Sequence, residues 1–508
     1  MTGGAVIAAV RHGGDRAGPL VRRRLVARGS WVAGETVTGP RTFEVRHPYD
    51  GEVVAEVCWA EPDQVERALA GLDRARPAAA SLPVHVRADA LLHVSRGLTR
   101  RAEEFAELVT AESGKPLRWS RVEVARAAAT FRWAAEECRR EGGEVVRLDT
   151  EPAADGRLGY VRRVPRGPVL AVTPFNFPLN LVAHKVAPAL AVGAPVLVKP
   201  APRTPLSALA LGELLAEASA ATDLPVGMWA VLTVPDERLA ALVADPRLPV
   251  VSFTGSGPVG WSIRDAVPRK HTVLELGGNA AAVVCADYTD QADLEWAARR
   301  VATFGNYQAG QSCIAVQRVL VASGVYERFT RLLVEQVEAL GTGDPYDEAT
   351  EVGPLIDAAA VTRVTAWVDE AVAAGARVLT GGRAEGTGYR PTVLTEVAPG
   401  AKVVAEEVFG PVLVVSRYDE VTEDPFELVN AGRYGIQAGV FTRDVRTAFR
   451  AHRELEVGGV IIGDVPSYRA DQLPYGGVKE SGTGREGVRA AMTDLTVERV
   501  LVLTGLEL

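Results

Sequence analysis

The chain contains 508 residues, of which 47% are hydrophobic and 24% are charged, and its formal net charge is −8. This length exceeds what one hydrophobic core supports, so we expect two globular domains. An acidic chain without a long basic stretch disfavours nucleic acid as a partner, and no apolar run reaches the roughly 18 residues of a membrane helix, which disfavours a membrane protein.

The N-terminal part is predicted to contain an extension, short strands and two long helices. Residues 1–22 are expected to form a flexible extension and not a secretory signal, because no apolar core follows the basic residues. Short strands broken by glycines are predicted over residues 31–59. Apolar side chains at helical spacing predict one helix over residues 84–112 and another over residues 121–140.

From Gly167 onward the pattern changes to strands that alternate with helices. Strands are predicted at residues 169–172, 195–198 and 250–253, with helices at 181–190, 207–218, 291–304, 326–340 and 358–374. This alternation predicts an α/β fold with parallel sheets. We assign residues 23–148 and 166–275 to a dinucleotide-binding domain and residues 276–485 to a catalytic domain.

Two predicted β-rich segments have no neighbouring strand in the sequence with which to pair. Residues 144–165 form a charged, two-stranded excursion with little apolar content, and residues 496–503 form an isolated β-rich run near the C-terminus. Because unpaired strand edges are usually covered, we expect residues 149–165 and 486–508 to bridge subunits of a homodimer or homotetramer.

The four cysteines do not form a disulfide framework, which favours a cytoplasmic location. Cys58, Cys138 and Cys285 stand in apolar runs that predict burial in the core. Cys313 differs, because it follows the small polar turn Gly310-Gln311-Ser312. A thiolate nucleophile needs an accessible loop with nearby backbone N–H groups, so Cys313 is the candidate nucleophile.

A glycine-rich turn lies between a predicted strand and helix. Gly255-Ser256-Gly257-Pro258-Val259-Gly260 fits the pattern G-x-G-x-x-G, whose N–H groups can hold a pyrophosphate at a helix N-terminus. Glu275 follows about 20 residues later, where an ordinary dinucleotide fold grips ribose. The alternative is that Glu275 acts as general base for Cys313, and spacing alone leaves both interpretations open.

Seven motifs occur in the order found in the aldehyde dehydrogenase superfamily, and over residues 25–508 the chain resembles that family. The motifs are Pro174-Phe175-Asn176-Phe177-Pro178-Leu179, Val198-Lys199-Pro200 with Thr204-Pro205, Phe253-Thr254-Gly255-Ser256, Glu275-Leu276-Gly277-Gly278, Gly310-Gln311-Ser312-Cys313, Glu406-Glu407-Val408-Phe409-Gly410-Pro411 and Tyr475-Gly476-Gly477-Val478-Lys479. The resemblance implies two Rossmann-like α/β domains with a small β oligomerisation arm, and oxidation of an aldehyde with NAD or NADP and no metal.

The resemblance also implies catalytic roles. Cys313 would attack the aldehyde, and the Asn176 amide with the Cys313 backbone N–H would stabilise the oxyanion. Glu275 would activate the water that hydrolyses the thioester. Lys185 and Glu486 would form a proton path behind Glu275, although a structural ion pair explains these two residues equally well.

Cofactor-binding positions are implied in the same way. Lys199 would hold the adenosine ribose, Ser256 the pyrophosphate, and Glu407 with Phe409 the nicotinamide ribose. The complete predicted cofactor-binding set is Thr173, Phe175, Lys199, Pro202, Gly255, Ser256, Leu276, Glu407 and Phe409. Pro202 departs from the family pattern, because NAD-preferring members commonly place a glutamate there. Without that carboxylate a 2′-phosphate is not repelled, so NADP becomes possible.

The substrate is predicted to be a small polar or anionic aldehyde, of the semialdehyde, lactaldehyde or phosphorylated type. Ser312 and Ile314 flank the nucleophile, and Tyr475 opens the last motif. Three cationic or titratable side chains, Arg132, His184 and Arg469, are expected to converge on the pocket, where arginine would grip an anion. In the alternative interpretation, Arg132 pairs with Glu136 and Arg469 with Asp471.

Two other functions remain open from the sequence. A CoA-acylating semialdehyde dehydrogenase of the same fold usually lacks the catalytic glutamate, whereas Glu275 is present here. A catalytically silent binding paralogue would be expected to have lost Cys313 or Glu275, and this chain has both.

Overall fold

The computed structural model describes residues 25–505, so the predicted extension over residues 1–22 lies outside the described residues. The strands in chain order are β1 Leu25–Arg28, β2 Ser30–Val32, β3 Glu35–Val37, β4 Thr42–Arg46, β5 Val53–Cys58, β6 Glu144–Arg147, β7 Arg157–Pro165, β8 Val169–Val172, β9 Val196–Lys199, β10 Trp229–Val231, β11 Val250–Thr254, β12 His271–Glu275, β13 Ala280–Val284, β14 Val316–Ala322, β15 Arg377–Thr380, β16 Ala384–Glu385, β17 Gly388–Tyr389, β18 Thr392–Thr395, β19 Val412–Tyr418, β20 Tyr434–Gly435, β21 Gln437–Phe441, β22 Gly459–Ile462, β23 Val478–Lys479, β24 Gly482–Thr483 and β25 Thr496–Thr504.

The α-helices in chain order are α1 Pro62–Ser81, α2 Val84–Arg100, α3 Ala102–Ser113, α4 Leu117–Arg140, α5 Asn180–Val192, α6 Leu206–Ala221, α7 Leu239–Ala244, α8 Gly257–Ala266, α9 Gln291–Asn306, α10 Tyr326–Glu338, α11 Ala358–Ala373, α12 Lys402–Ala405, α13 Pro425–Asn430, α14 Val445–Glu454 and α15 Val488–Asp494. No helix of residues 25–505 is long and apolar enough to cross a membrane.

The first large sheet has eight strands in the order β24-β12-β11-β8-β9-β10-β2-β3. Its centre, from β12 to β10, is parallel, and β24 at one edge and the pair β2-β3 at the other join it in antiparallel fashion. Side chains of β8 alternate between two hydrophobic cores: Val169 and Ala171 pack in one, and Leu170 and Val172 in the other. A parallel sheet is covered on both faces, which explains why its strands read as continuous apolar runs.

The second large sheet has seven strands in the order β15-β18-β19-β14-β13-β21-β22, and only its edge strand β15 is antiparallel. Along β19, Leu413 and Val415 pack in one hydrophobic core, whereas Val412 and Val414 pack in the other. This sheet is therefore also covered on both faces, and the predicted α/β class with two Rossmann-like sheets is confirmed.

A separate three-stranded antiparallel sheet, which we call the arm, has the order β25-β7-β6. β25 pairs with β7 over nine residues, from Thr496 opposite Pro165 to Thr504 opposite Arg157. The two segments that lacked partners in the sequence are thus partners of each other. The domain and bridging boundaries drawn from the sequence stay a prediction.

The N-terminal helices differ from the prediction in two places. The single helix predicted over residues 84–112 is divided into α2 and α3 at Arg101, whose φ of −104° and ψ of 25° leave the helical region. Helix α1 was not predicted, because Pro77 lies inside it and disguises an otherwise helical pattern. The helix predicted over residues 121–140 begins four residues earlier, at Leu117 in α4.

Candidate active site

A cavity of about 810 Å³ lies at the carboxyl ends of the parallel strands of the first sheet. Thr173 follows β8, Lys199 ends β9, Gly255 follows β11 and Glu275 ends β12, and all four line the cavity. Open α/β sheets bind ligands at this edge. Cys313 lies in the same cavity, so the predicted nucleophile faces the predicted dinucleotide site.

The loop that carries Cys313 is locally strained. After α9 ends, Gln308 and Ala309 have φ values of 52° and 53°, a region that L-residues rarely occupy, and Gly310 follows with 69°. The Gln311 side chain fixes this turn, because its Oε1 accepts from the Ile356 N–H at 2.9 Å and its Nε2 donates to the Gln308 carbonyl at 3.1 Å. The surrounding structure therefore imposes the conformation that presents Cys313.

The Cys313 thiol is in contact with a tyrosine. Its Sγ lies 2.9 Å from the Tyr475 hydroxyl, which belongs to the last of the seven motifs. Burial raises the pKa of Cys313 to about 12, although the hydrogen bond with Tyr475 acts in the opposite direction. The free thiol is therefore neutral at physiological pH and must lose its proton when it reacts.

Asn176 lies beside this thiol loop. The side chain is 4% exposed, and its Nδ2 donates to the Gln311 carbonyl at 3.0 Å. Nδ2 carries a second N–H, and Asn176 lines the cavity together with Cys313. Its backbone carbonyl accepts from Gln308 Nε2, so the asparagine and the nucleophile loop hold each other in place.

Glu275 is buried and lacks a hydrogen-bond partner. Neither carboxylate oxygen has a partner within the described chain, although the side chain is only 3% exposed. Burial, and then the negative charge of Glu486, raise the pKa of Glu275 well above its ordinary value. A Cβ at Gly476 would lie 2.8 Å from Glu275 Oε1, so glycine is required for this close approach. Gly476 follows Tyr475, which brings Glu275 near the nucleophile.

Glu486 has the opposite surroundings. Its Oε1 accepts from Lys185 Nζ at 3.1 Å and its Oε2 from Arg469 Nη2 at 3.0 Å. Burial opposes ionisation of this carboxyl, yet Lys185 and Arg469 lower the pKa of Glu486 to about 2. Lys185 Nζ also donates to Ser252 Oγ at 2.9 Å, and it lies behind the cavity wall. The predicted Lys185–Glu486 pair therefore exists, and Arg469 extends it.

All nine predicted cofactor-binding residues line the cavity: Thr173, Phe175, Lys199, Pro202, Gly255, Ser256, Leu276, Glu407 and Phe409. Ser256 precedes the first turn of α8, whose N-terminus faces this space. The buried Thr173 Oγ1 has no hydrogen-bond partner among the described residues. Burial raises the pKa of Glu407 to about 7, although the Gly278 N–H donates a hydrogen bond to its carboxylate at 2.9 Å. Polar groups awaiting partners along a long cavity fit a dinucleotide.

The adenosine end of the predicted cofactor site contains an ion pair. Lys199 is 2% exposed and its Nζ donates to Asp236 Oδ1, whereas the Asp236 side chain is 69% exposed. Both residues line the cavity beside Pro202. Among the described residues, no group of three or more His, Cys, Asp or Glu side chains is placed to hold a metal ion.

Comparison with known proteins agrees with this arrangement. The model of the aldehyde dehydrogenase family matches residues 31–501. The chain belongs to the aldehyde dehydrogenase family. The resemblance predicted from the seven motifs is confirmed, and this aldehyde dehydrogenase is an NAD(P)-dependent oxidoreductase.

Three relatives cover nearly the whole aldehyde dehydrogenase. The chain is 42% identical over 476 residues to the 3-sulfolactaldehyde dehydrogenase of Priestia aryabhattai, covering 94% of this chain and 98% of that protein. Aldehyde dehydrogenase 21 from Physcomitrella patens, solved with the reaction product succinate, has a TM-score of 0.91 and 41% identity over 95% of this chain and 99% of its own. The NADP-dependent glyceraldehyde-3-phosphate dehydrogenase of Bacillus halodurans C-125, complexed with NADP, has a TM-score of 0.89 and 32% identity over 95% and 100%.

Two of the predicted substrate residues lie away from the cavity of the aldehyde dehydrogenase. Arg132 is half exposed and pairs with Glu136 at 2.9 Å, one turn along α4, so the alternative interpretation of Arg132 is correct. His184 is 1% exposed and its Nε2 lies 2.9 Å from Asp471 Oδ1, behind the cavity wall. His184 follows Asn176 in the sequence by a length that would make two turns of a continuous helix. Because α5 begins only at Asn180, Asn176 lies outside the helix, and helical spacing does not align the two side chains.

The other predicted substrate residues of the aldehyde dehydrogenase do line the cavity: Ser312, Ile314, Arg469 and Tyr475. Ser312 Oγ accepts from the Tyr307 hydroxyl at 2.8 Å. The Arg469 guanidinium lies 3.8 Å from the centre of the Tyr475 ring and pairs with Glu486, so its predicted alternative partner Asp471 was wrong.

Sequence reasoning missed Arg126, which lines the cavity and forms two hydrogen bonds with Asp471, at 2.7 and 3.3 Å. A signal was present in the sequence. On α4, the polar residues Glu123, Arg126 and Thr130 recur at spacings of three and four within an otherwise apolar buried face. Asp236, Arg363 and Trp367 also line the cavity and belong to none of the seven motifs.

Proposed function

We propose that the enzyme oxidises a small anionic aldehyde to the carboxylic acid through a thioester on Cys313 that water hydrolyses. One observation carries this proposal: the Cys313 thiol, the Asn176 amide and the unpartnered Glu275 carboxylate line the same cavity. Each of these groups is a different component of covalent acyl chemistry, namely nucleophile, oxyanion donor and base.

In the acylation half, Cys313 Sγ bonds to the aldehyde carbon and the carbonyl oxygen gains negative charge. The second N–H of Asn176 Nδ2 and the Cys313 backbone N–H are the donors for this oxygen. Formation of the S–C bond breaks the S–H bond of the thiol, which burial keeps neutral beforehand, and the Glu275 carboxylate takes the proton. A bound nicotinamide would supply the hydride acceptor, and loss of hydride from the adduct would leave the thioester on Cys313.

In the deacylation half, Glu275 takes a proton from the water that attacks the thioester. The competing role for Glu275, as a ribose ligand, is disfavoured by the order of the sheet. Glu275 ends β12, and Lys199, the predicted ribose ligand, ends β9, three strands away. Lys185 and Glu486 continue from Glu275 into the interior, and we propose that they pass its proton onward.

Charge in the cavity supports an anionic substrate. Arg126 and Arg469 both line it, and each already shares a carboxylate, Asp471 or Glu486. The Arg126 side chain keeps 27% of its surface exposed, and the buried Arg469 Nε has no partner among the described residues. Each guanidinium therefore retains donors for a carboxylate, sulfonate or phosphate.

The relatives support the same class of substrate. The Priestia aryabhattai protein is a 3-sulfolactaldehyde dehydrogenase, and the Physcomitrella patens enzyme was solved with succinate. Sulfonate and carboxylate both carry negatively charged oxygens to which a guanidinium can donate two hydrogen bonds. The CoA-acylating alternative is less favoured, because a water-activating carboxylate is present at Glu275.

The test compares succinic semialdehyde with butanal, a neutral aldehyde of the same chain length, with NAD and with NADP. In Arg469→Ala and Arg126→Ala we expect kcat/KM to fall about 10- to 100-fold for the anion, the worth of one charge-assisted hydrogen bond, and much less for butanal. Arg132→Ala is the matched control on α4, because its guanidinium pairs with Glu136 outside the cavity. Equal losses on both substrates would contradict anion recognition, and oxidation that requires CoA would contradict the hydrolytic mechanism.

We also propose that the enzyme is a cytoplasmic homodimer or homotetramer. β25 forms one edge of the arm, and its apolar side chains Val500, Leu501 and Val502 are 62%, 52% and 47% exposed. An exposed apolar edge strand of this kind is usually covered by another chain. Light scattering at micromolar concentration should show a dimer or tetramer, and Val500→Lys should shift it toward the monomer. A wild-type monomer would contradict this assembly.

A further inference from the structure

The Lys199–Asp236 pair belongs to the end of the cavity farthest from the nucleophile. The strand order β12-β11-β8-β9-β10 places the end of β9, with Lys199, three strands from the end of β12, with Glu275. At about 4.8 Å per strand, that separation is roughly 14 Å. Asp236 follows β10, one strand farther. A dinucleotide with its nicotinamide at Cys313 therefore has its adenosine ribose at this pair.

At this end of the cavity the charges of Lys199 and Asp236 balance each other, so the lining offers a 2′-phosphate no spare positive charge. Lys199 is buried and its ammonium is already neutralised by Asp236. Arg203, the next cationic residue along the chain, pairs with Asp357 at 2.8 Å. A ribose with free hydroxyl groups can donate to a carboxylate, whereas a 2′-phosphate adds about two negative charges beside it.

We propose that Asp236 selects NAD over NADP in this enzyme. Its carboxylate accepts a hydrogen bond from the adenosine ribose and repels a 2′-phosphate, and its contact with Lys199 holds that ammonium toward the ribose. Pro202 lacks a carboxylate, but Asp236 supplies one from the neighbouring strand end. This proposal opposes the expectation, drawn from Pro202, that NADP is possible, and the two differ in the cofactor fragment that should bind more tightly.

The experiment measures binding of ADP and 2′,5′-ADP, two fragments that carry the adenosine end and no nicotinamide. Isothermal titration of the wild-type enzyme should give at least about tenfold tighter binding of ADP, since a like charge at close range opposes the phosphate. In Asp236→Asn, 2′,5′-ADP should bind about tenfold more tightly than in the wild type and ADP somewhat more weakly. Titrations with intact NAD and NADP should change in the same directions.

Glu237→Gln is the matched control, because Glu237 is the adjacent exposed carboxylate and does not line the cavity. It should leave both affinities unchanged, and thermal unfolding should show that all variants are folded. Tighter binding of 2′,5′-ADP than ADP by the wild type would overturn the proposal. So would an Asp236→Asn variant in which the ratio of the two affinities is unchanged. Because no aldehyde is present, these outcomes are independent of the proposed substrate.

Discussion

Glu275 and Glu486 are two buried carboxyl groups that line one cavity and differ in their surroundings. Glu275 has no hydrogen-bond partner within the described chain, and burial raises its pKa. Glu486 accepts from Lys185 and Arg469, and these cations lower its pKa to about 2 against the effect of burial. Burial alone therefore does not determine whether a carboxyl group in this site is charged.

The difference separates two chemical tasks. A carboxylate that must take a proton from water is a stronger base when its pKa is raised, as burial raises that of Glu275. Glu486, by contrast, is ionised in the resting site and accepts from two cations. The raised pKa of Glu275 is partly due to Glu486 itself, because the negative charge of Glu486 opposes a second one nearby.

The largest effect on turnover is expected for Cys313→Ala. Glu275 and Glu486 act on a thioester of Cys313, and this variant cannot form that thioester. Oxidation should be abolished while NAD binding, measured by titration, is retained. Cys138→Ala is the matched control, because Cys138 is buried in the hydrophobic core beside α5 and should support normal turnover. Residual turnover by Cys313→Ala would refute covalent catalysis.

Glu275→Gln tests the carboxyl group that has no hydrogen-bond partner within the described chain. We expect a burst of reduced cofactor in the first turnover and a steady-state rate lower by about 10²- to 10⁴-fold, because hydrolysis loses its base. In the wild type, kcat should rise with pH over a higher range than an ordinary glutamate would give, since the raised pKa leaves Glu275 protonated below that range. That rise should be absent in Glu275→Gln. A normal kcat with a raised KM for the cofactor would instead indicate a ribose ligand.

Glu486→Gln tests whether the two carboxyls are coupled. Removing the negative charge and leaving Lys185 and Arg469 unpaired should shift the midpoint of the kcat–pH profile about one unit lower, because both changes favour ionised Glu275. The free energy of unfolding should fall by about 3–5 kcal/mol, as expected when one partner of a buried ion pair is removed.

Asp471→Asn is the control for Glu486→Gln, because it breaks another buried pair, with Arg126, without removing a charge that acts on Glu275. Its midpoint should stay at the wild-type pH. Identical profiles for Glu486→Gln and the wild type would show that the carboxyls titrate independently.

Tyr475→Phe should have the smallest effect. The Tyr475 hydroxyl lowers the pKa of Cys313 through its hydrogen bond, and the phenylalanine ring still allows Arg469 to stack. We expect a smaller thiolate fraction at each pH and alkylation by iodoacetamide that is slower by about threefold, the loss of a weak hydrogen bond. Faster alkylation would show that the hydroxyl restrains the thiol instead of activating it.

The sequence predicted the parts of this molecule that depend on the spacing of apolar residues within one segment and on short motifs. The buried strands β8, β9 and β11 and the helices after them follow from apolar periodicity, and ordered motifs were sufficient for the family. The cavity contains all nine predicted cofactor positions, and each of them lies in or beside one of the seven motifs. Short-range pattern failed for α1, where Pro77 hides the helix.

Long-range pairing accounts for most of what the sequence could not predict. Arg469 had two carboxylates near it in the sequence, Asp471 and Glu486, and only the fold shows that Glu486 is its partner. Asp471 pairs instead with Arg126, which lies 345 residues earlier in the chain. His184 was assigned to the pocket from helical spacing, and Arg132 from the family resemblance of its helix. Their true directions depend on how α4 and α5 pack, which no local pattern contains.

The edge strand β24 has a consequence for the order in which the enzyme is made. Gly482 of this two-residue strand pairs with Glu275 of β12, and Tyr475 and Glu486 flank it in the sequence. During synthesis, the ribosome releases Cys313 long before this segment emerges. The nascent chain therefore carries its reactive thiol without its tyrosine contact and without the ion pairs beside its base, and the site becomes complete only after residues 475–486 have also emerged.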